Sequence, residues 1–296
     1  MSKSKLNKSK IGKVLPNDKE FPKCFLDLPD FIKPIKQIYF IGDEKNLNAF
    51  SQKCISIVGS RASTSYGNEI SYSFAKELSG RGWTIASGGA FGIDAFAHKG
   101  ALDANGKTVA FIAGGLNNLY PKANLDLFER IIENDGIIMS ENEPEETNMP
   151  HEFLERNRLI ALYSQTTVVV EAAWRSGALS TAAHANKLLI PVAGVPGPIT
   201  LSSSSGVHEL IRNNRAELVT SVDDILELAQ PIGQSLFEVT DNESLQILNV
   251  IDKKSFITAE KISEKSKLPF QTVMSKLTKM ELEEIITTDG IGWKAI

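Results

Sequence analysis

A glycine, a hydroxyl group and a cation stand together at the end of a predicted strand. The segment ISIVGSRASTS at 55–65 begins with an apolar run, continues with Gly59, Ser60 and Arg61, and leads into a helical pattern near Tyr66. A strand that passes through a glycine turn into a helix directs backbone N–H groups and the positive end of a helix dipole at one point. Arg61 adds a guanidinium that can bind an anion through two hydrogen bonds. The combination predicts a phosphate-binding loop.

A second glycine loop follows the next predicted strand. Ser87, Gly88 and Gly89 precede a helical pattern that carries Asp94 and His98. The loop can contact phosphate in the same way, or its glycines can simply make the tight turn between strand and helix. Asp94 and His98 share a helix face, as an acid–base pair or half a metal site would. With only four histidines and no HExxH motif, we predict no metal and expect Asp94 to brace the loop.

An aromatic ring, a cation and an amide share one face of a later predicted helix. Phe153, Arg156 and Asn157 lie at positions i, i+3 and i+4 of the segment FLERNR. They can stack on a base, contact a phosphate and donate a hydrogen bond, as a single-stranded nucleic acid requires. A structural salt bridge is the alternative role for Arg156. Arg158 lies roughly 200° around the helix from Arg156, so we expect it to have a different partner.

Small and hydroxyl residues open another predicted helix. Ser176, Gly177 and Thr181 follow a strand at 167–171. Such residues at a helix start bind phosphate or merely cap the helix. Both roles stay open.

Short apolar strands alternate with helical patterns from Ile55 onward. The strands are predicted at 55–58, 83–86, 108–113, 136–139, 167–171, 189–193 and 217–219. They are apolar without alternation, which is typical of a sheet covered on both faces. Repeated β-α units predict an α/β fold with a doubly wound, mostly parallel sheet, whose ligands bind at the carboxyl ends of its strands.

Changes in composition suggest four segments. We expect a flexible lysine-rich segment at 1–34, an α/β domain at 35–229, a linker at 230–240 and a small domain at 241–296. The last segment shows three helical patterns and then two short strand patterns around Asp289-Gly290, a strong hairpin signal. Three helices followed by a hairpin predict a winged-helix domain.

Composition narrows the classes of function. The 296 residues are 42% hydrophobic and carry a net charge of −4, so we expect a globular protein with at most a local basic cleft. Its two cysteines suit a reducing cytoplasm, and no apolar run reaches the roughly 18 residues of a membrane span. Neither GxxxxGK[ST] nor GxGxxG occurs, so we predict no dinucleotide cofactor and no P-loop ATPase.

Taken together, these motifs resemble those of the DprA (Smf) family of bacterial DNA-processing proteins. The matching segments are IVGSRASTSYG, SGGAFGIDAFAH, AGGLNNLYP, FLERNRLIALYS, VVVEAAWRSGALSTAAHA, VAGVPGPI and SSSSGVHELIRNNRAELV, in this order along 57–219. The resemblance implies an extended Rossmann-like domain that binds single-stranded DNA, forms a homodimer and loads RecA recombinase in natural transformation. It also implies that a non-enzymatic DNA site lies around Arg61 and the helix at 153–158.

Two other functions are compatible with parts of the chain. Nucleotide phosphoribohydrolases share a related Rossmann-like fold, but their PGGxGTxxE loop is not found between Glu171 and Thr181. A transcription regulator would act through the winged-helix domain. Residues 241–296 hold eight lysines, no arginine and nine acidic residues, however, and duplex readers usually offer arginine or asparagine to base edges.

Overall fold

The computed structural model describes residues 10–26, 28–229, 242–251, 255–282 and 286–295. The chain divides into two compact units, Met1–Ala229 and Gln230–Ile296. The predicted linker at 230–240 lies outside the described residues.

The first unit is built on one nine-stranded sheet. Its strands are β1 Gly12–Val14, β2 Ile38–Ile41, β3 Cys54–Val58, β4 Thr84–Ser87, β5 Thr108–Phe111, β6 Ile137–Ser140, β7 Thr166–Val169, β8 Val192–Gly194 and β9 Glu217–Leu218. The spatial order is β1-β2-β6-β5-β4-β3-β7-β8-β9. The strands from β3 to β9 run parallel to one another, whereas β1 pairs antiparallel with β2 and β2 pairs antiparallel with β6. The predicted α/β fold with a mostly parallel sheet is confirmed.

Helices cover both faces of this sheet. They are α1 Asn46–Ala49, α2 Ser65–Gly80, α3 Ile93–Asp103, α4 Leu125–Glu133, α5 Pro150–Leu162, α6 Ala178–Lys187, α7 Ser205–Arg212 and α8 Val222–Leu228. Strand β3 shows why both faces are apolar. Ile55 and Ile57 pack in the cluster that includes Phe74 of α2, whereas Cys54 and Val58 pack in the cluster that includes Leu159 of α5. Successive side chains of a strand point to opposite faces, so a covered strand is apolar throughout.

The described part of the amino-terminal segment contains an edge strand and buried side chains, whereas the sequence predicted a flexible segment at 1–34. Strand β1 pairs with β2 at the edge of the sheet. Phe21, Phe25 and Ile32 are buried in the same core cluster as Phe111. The lysine content suggested a solvated tail. The three apolar side chains stand between the lysines in the sequence, and their burial holds this segment against the core. Residues 1–9 lie outside the described part of the chain.

The second unit contains three helices followed by two antiparallel strands. The helices are α9 Asn242–Leu248, α10 Ala259–Ser266 and α11 Phe270–Leu282, and the strands are β10 Ile286–Thr288 and β11 Trp293–Ala295. Ile247, Ile262 and Leu277 are fully buried in its own apolar cluster. The elements have the predicted types and order, and the winged-helix assignment stays a prediction. Among the described residues of the whole chain, no helix is long and apolar enough to cross a membrane.

Candidate nucleic-acid interface

A cleft of about 630 Å³ lies where the strand order of the sheet reverses. Strand β3 has β4 on one side and β7 on the other, and the chain leaves both β3 and β7 toward this cleft. Open α/β sheets bind ligands at such a reversal, because the loops after the two strands diverge there. The cleft is therefore the candidate site on grounds of topology.

The cleft brings together most of the residues singled out in the sequence. Its lining includes Gly59, Ser60, Arg61, Phe153, Arg156, Asn157, Ser176, Gly177 and Thr181. Ser87, Gly88 and Gly89 do not line it. The buried Ser87 hydroxyl donates to the Ile57 carbonyl oxygen at 2.6 Å, and Gly89 has a φ of +65°. These features favour the alternative that the second glycine loop makes a turn and does not hold phosphate.

Arg61 is the exposed cation of the cleft. Its guanidinium carbon lies 4.7 Å from the centre of the Phe153 ring, on the first turn of α5. A guanidinium at this distance is attracted to the face of an aromatic ring and keeps its N–H groups available to other partners. The pair therefore presents a cation and a half-buried ring side by side.

Arg156 has a structural role, although it lines the same cleft. Its side chain is 7% exposed, and one terminal nitrogen donates to the carbonyl oxygens of Gly88, at 2.7 Å, and Phe111. Burial lowers the pKa of Arg156 to about 10, while the charge of Asp94 opposes this shift. A Cβ at Gly88 would lie 2.6 Å from both the Arg156 Nη1 and the Asp94 Oδ2 atoms, so a side chain there would displace one or both of these groups. Arg156 therefore joins the loop at Gly88 to the end of strand β5 at Phe111.

Arg158 has a different partner from Arg156, as predicted. It is 2% exposed and donates to both carboxylate oxygens of Glu141, at 2.8 and 2.6 Å. Neither residue of this pair lines the cleft. Arg158 is thus held by Glu141 within the fold.

A carboxylate occupies the helix start that the sequence suggested for phosphate. Glu171, just beyond β7, is 2% exposed and accepts hydrogen bonds from the Thr64 N–H at 2.9 Å and the Thr64 hydroxyl at 2.6 Å. Thr64 in turn caps α2 by accepting from the Gly67 N–H. The Glu171 backbone carbonyl also accepts from the Ser60 N–H at 2.7 Å. Donors that we expected to face a ligand are therefore satisfied within the chain.

Replacing Glu171 with alanine is expected to lower the free energy of unfolding by about 1.5–3 kcal/mol, the usual contribution of a charge-assisted hydrogen bond. Both Thr64 donors, which are half-buried at the start of α2, would lose their acceptor. Urea unfolding measures the effect. Glu217→Ala, at an exposed position of β9, is the matched control and should change stability by less than about 0.5 kcal/mol. Equal stability of the two variants would contradict this role of Glu171.

The polar groups at the start of α6 form hydrogen bonds within the protein. The Asn157 amide donates to the Gly177 carbonyl oxygen at 3.1 Å, and the Ser176 hydroxyl accepts from the Ala178 N–H at 3.4 Å. Thr181 is only 1% exposed. These contacts support the capping role that the sequence left open, and they fix α5 against α6.

Asp94 and His98 of α3 have separate structural roles. The Asp94 carboxylate accepts from the Ala90 N–H at 3.3 Å, which confirms that it braces the glycine loop. The buried His98 ring bonds the Thr108 hydroxyl at 2.7 Å. Burial, with the charge of Arg156 as a second cause, lowers the pKa of His98 to about 3. Among the described residues, no cluster of three or more acidic, histidine or cysteine side chains could hold a metal ion.

The depressed pKa of His98 predicts a loss of stability in mild acid. The unfolded chain takes up a proton near pH 6.5, whereas the folded chain does so only near pH 3. The stabilising contribution is therefore present above pH 6.5 and is lost progressively as the pH falls toward 3. Between pH 7 and 5 the wild type should lose about 2 kcal/mol more than His98→Gln. Parallel urea titrations measure this difference, and equal losses would contradict the prediction.

Two aromatic residues near the cleft were not identified from the sequence. Phe91 and Tyr120 are 43% and 46% exposed, and both line a smaller cavity beside the cleft. The available signal was an aromatic residue just after a glycine turn in each of the segments GGAFG and GGLNNLY. Spacing along the chain could not show that these two loops meet.

A known protein family matches most of this chain. A family described as DNA recombination-mediator protein A matches residues 13–230. A DprA-named relative from Mycobacterium tuberculosis is 36% identical over 84% of this chain, which spans 66% of the length of that protein. Protein Smf of Escherichia coli is 33% identical over 91% of this chain and 73% of its own length.

Two solved structures share the architecture. DNA processing protein A from Helicobacter pylori, solved to explain its single-stranded DNA binding mode, is 28% identical with a TM-score of 0.64, over 74% of this chain and 95% of the other. The DprA of Streptococcus pneumoniae is 33% identical with a TM-score of 0.66, over 76% of this chain and 77% of the other. The family match covers residues 13–230, and the relatives align over most of the chain. The chain therefore belongs to the DprA (Smf) family of DNA recombination-mediator proteins.

Proposed function

We propose that this protein is a recombination mediator that binds single-stranded DNA, protects incoming DNA and loads RecA recombinase in natural transformation. The observation that carries the proposal is the exposed Arg61 beside the Phe153 ring, at the reversal of the sheet. A cation that binds phosphate and a ring that stacks on any base suit an unpaired strand irrespective of its sequence. The single-stranded DNA binding of the Helicobacter pylori relative supports the same ligand.

We further propose that the protein acts without catalysing a reaction. Asp94, which lines the cleft, and Glu171, just beyond β7, are both buried and accept hydrogen bonds from the backbone. A phosphoribohydrolase needs an accessible carboxylate beside its nucleotide, and neither group meets that requirement. Absence of turnover of nucleoside monophosphates by the purified protein would support the binding function, and turnover lost in Arg61→Ala would contradict it.

Assembly and location belong to the same proposal, and family membership supports them. We propose a homodimer that acts in the cytoplasm with RecA as its partner. Of the apolar side chains that could form the dimer surface, Val207 and Leu210 are buried in the core of the chain itself, whereas Leu218 on β9 is 47% exposed. A mass of two chains by light scattering at micromolar concentration is the expected result, and a monomer would contradict it.

A gel-shift comparison at several salt concentrations tests the DNA ligand. An unpaired strand of mixed sequence should bind more tightly than a blunt duplex of equal length, because only the unpaired strand offers free base faces to Phe153. Affinity should fall as salt rises, since each neutralised phosphate releases counterions. Equal or tighter binding of the duplex at matched salt would overturn the proposal.

A further inference from the structure

A small aromatic cavity borders the cleft. It has a volume of about 70 Å³ and shares Arg61, Phe153 and Arg156 with the larger cleft. Phe91 and Tyr120 stand at its rim with close to half of each side chain exposed. The Tyr120 ring meets Phe153 edge to face, with ring centres 6.1 Å apart. Exposed rings grouped beside a cation are unusual on a protein surface unless a ligand uses them.

Two loops and the first turn of α5 carry these rings, and hydrogen bonds tie the three segments together. The Asn124 amide, from the segment after Tyr120, donates to the carbonyl oxygens of Gly89 and Ala90 at 2.9 and 3.2 Å. Those two residues directly precede Phe91 in the chain. The loop of Tyr120 and the loop of Phe91 are thus held in a fixed relation.

The same loops are tied to α5, which carries Phe153. The Asn148 amide oxygen accepts from the Gly114 N–H at 3.0 Å, and its nitrogen donates to the Asn118 carbonyl oxygen at 2.8 Å. Arg156 of α5 reaches the Gly88 carbonyl oxygen. Each of the three aromatic segments is therefore fastened to the other two, which preorganises the rings for a ligand.

The walls of the small cavity are suited to a flat, uncharged ring. Apart from the rings and arginines, the cavity is lined by Gly88, Ala90, Ala113 and Pro121. Among these described lining residues, side-chain hydrogen-bonding groups belong only to Arg61, Tyr120 and Arg156, and Arg156 already binds carbonyl oxygens. Such walls can stack on a base and offer little to distinguish one base edge from another.

We propose that Phe91 and Tyr120, together with Phe153, form a nucleobase subsite for the base next to the phosphate that Arg61 binds. The inference rests on the proposed function and adds the residues that hold the base. Continuity with the cleft through Arg61 and Phe153 selects an unpaired nucleotide of the same strand as the occupant. The subsite accepts any base, because its contacts are to ring faces.

The experiment compares a thymidine strand with an abasic strand of equal length and charge, using the full chain at fixed salt. The variants are Phe91→Ala, Tyr120→Ala and Tyr120→Phe, with Phe31→Ala as the matched control because Phe31 is 63% exposed and lines neither cavity. Loss of a stacking ring should weaken binding of the thymidine strand by roughly five- to a hundredfold. Binding of the abasic strand should be unchanged, and Tyr120→Phe should behave as wild type.

Each outcome decides a separate question. A selective loss on the thymidine strand in Phe91→Ala and Tyr120→Ala supports the subsite. Equal losses on both strands, or no loss on either, overturn the subsite and leave the DNA-binding function standing. Failure of the wild type to bind either strand overturns the proposed function itself. Unfolding curves of Tyr120→Phe and Tyr120→Ala separate loss of the ring from loss of the fold.

Discussion

Replacing Arg156 with methionine is expected to lower the free energy of unfolding by about 2–6 kcal/mol, because each of the two buried carbonyl oxygens left without a donor costs about 1–3 kcal/mol. The guanidinium is 7% exposed and satisfies the carbonyl oxygens of Gly88 and Phe111. Without it, both carbonyls lose a donor, and Asp94 loses the charge that opposes the upward pKa shift caused by its burial. Urea unfolding followed by circular dichroism measures the change.

Two companion variants identify the cause of this loss. Arg212→Met replaces an arginine whose side chain is 75% exposed, and it should change stability by less than about 0.5 kcal/mol. In Asp94→Asn combined with Arg156→Met, the loss should be smaller than the sum of the single losses, because the two charges interact. A stable Arg156→Met protein that binds DNA poorly would instead make Arg156 a ligand contact.

Replacing Arg61 with alanine is expected to weaken single-stranded DNA binding by about ten- to a hundredfold while leaving stability nearly unchanged. A charge-assisted hydrogen bond contributes about 1.5–3 kcal/mol, and about 1.4 kcal/mol corresponds to tenfold in affinity. Arg61 is exposed and contacts the Phe153 ring, so its removal leaves no buried group without a partner. Fluorescence anisotropy with a labelled strand measures the affinity.

Controls for Arg61 separate charge from geometry. Arg61→Lys keeps the charge but loses the planar pair of donors, so its affinity should fall between those of wild type and Arg61→Ala. Arg212→Ala removes an exposed arginine from α7, outside the cleft, and should bind DNA as wild type does. If a folded Arg61→Ala protein binds as tightly as wild type, the phosphate site lies elsewhere.

The pattern of the sequence predicted the central part of the fold well. The strand predicted at 55–58 is Cys54–Val58, and the strand predicted at 217–219 is Glu217–Leu218. Covered parallel strands are continuous apolar runs between helices, so their signal is local. Strand β2 at Ile38–Ile41 follows three prolines and pairs antiparallel with β6, outside the β-α repeat, and it was not predicted as a strand. Helix α8 at Val222–Leu228 is short and was also missed.

The candidate site was predicted in part, because residue type does not reveal which side chains already form hydrogen bonds within the protein. The sequence grouped Arg61, Arg156 and Phe153, and the cleft brings all three together. It predicted both arginines as binding residues and gave a structural salt bridge as the alternative for Arg156. In the structure Arg61 is exposed, whereas Arg156 bonds the backbone carbonyls of Gly88 and of Phe111 at the end of β5. These bonds join residues 45 and 68 positions apart, so spacing could not show them.

The Glu171 carboxylate, which lies just beyond β7 and does not line the cleft, already accepts the Thr64 donors at the start of α2. This limits the donors that the cleft can offer to a bound strand. Since the start of α2 already serves Glu171, a bound phosphate depends mainly on Arg61. One phosphate contact to a single strand gives a salt exponent of only about 0.7, so each cleft should lose roughly fivefold in affinity over a tenfold rise in salt. Binding through one such contact is weak, and the affinity rises steeply when one strand binds several clefts at once. Strand length, more than base sequence, should therefore determine which DNA molecules the protein retains.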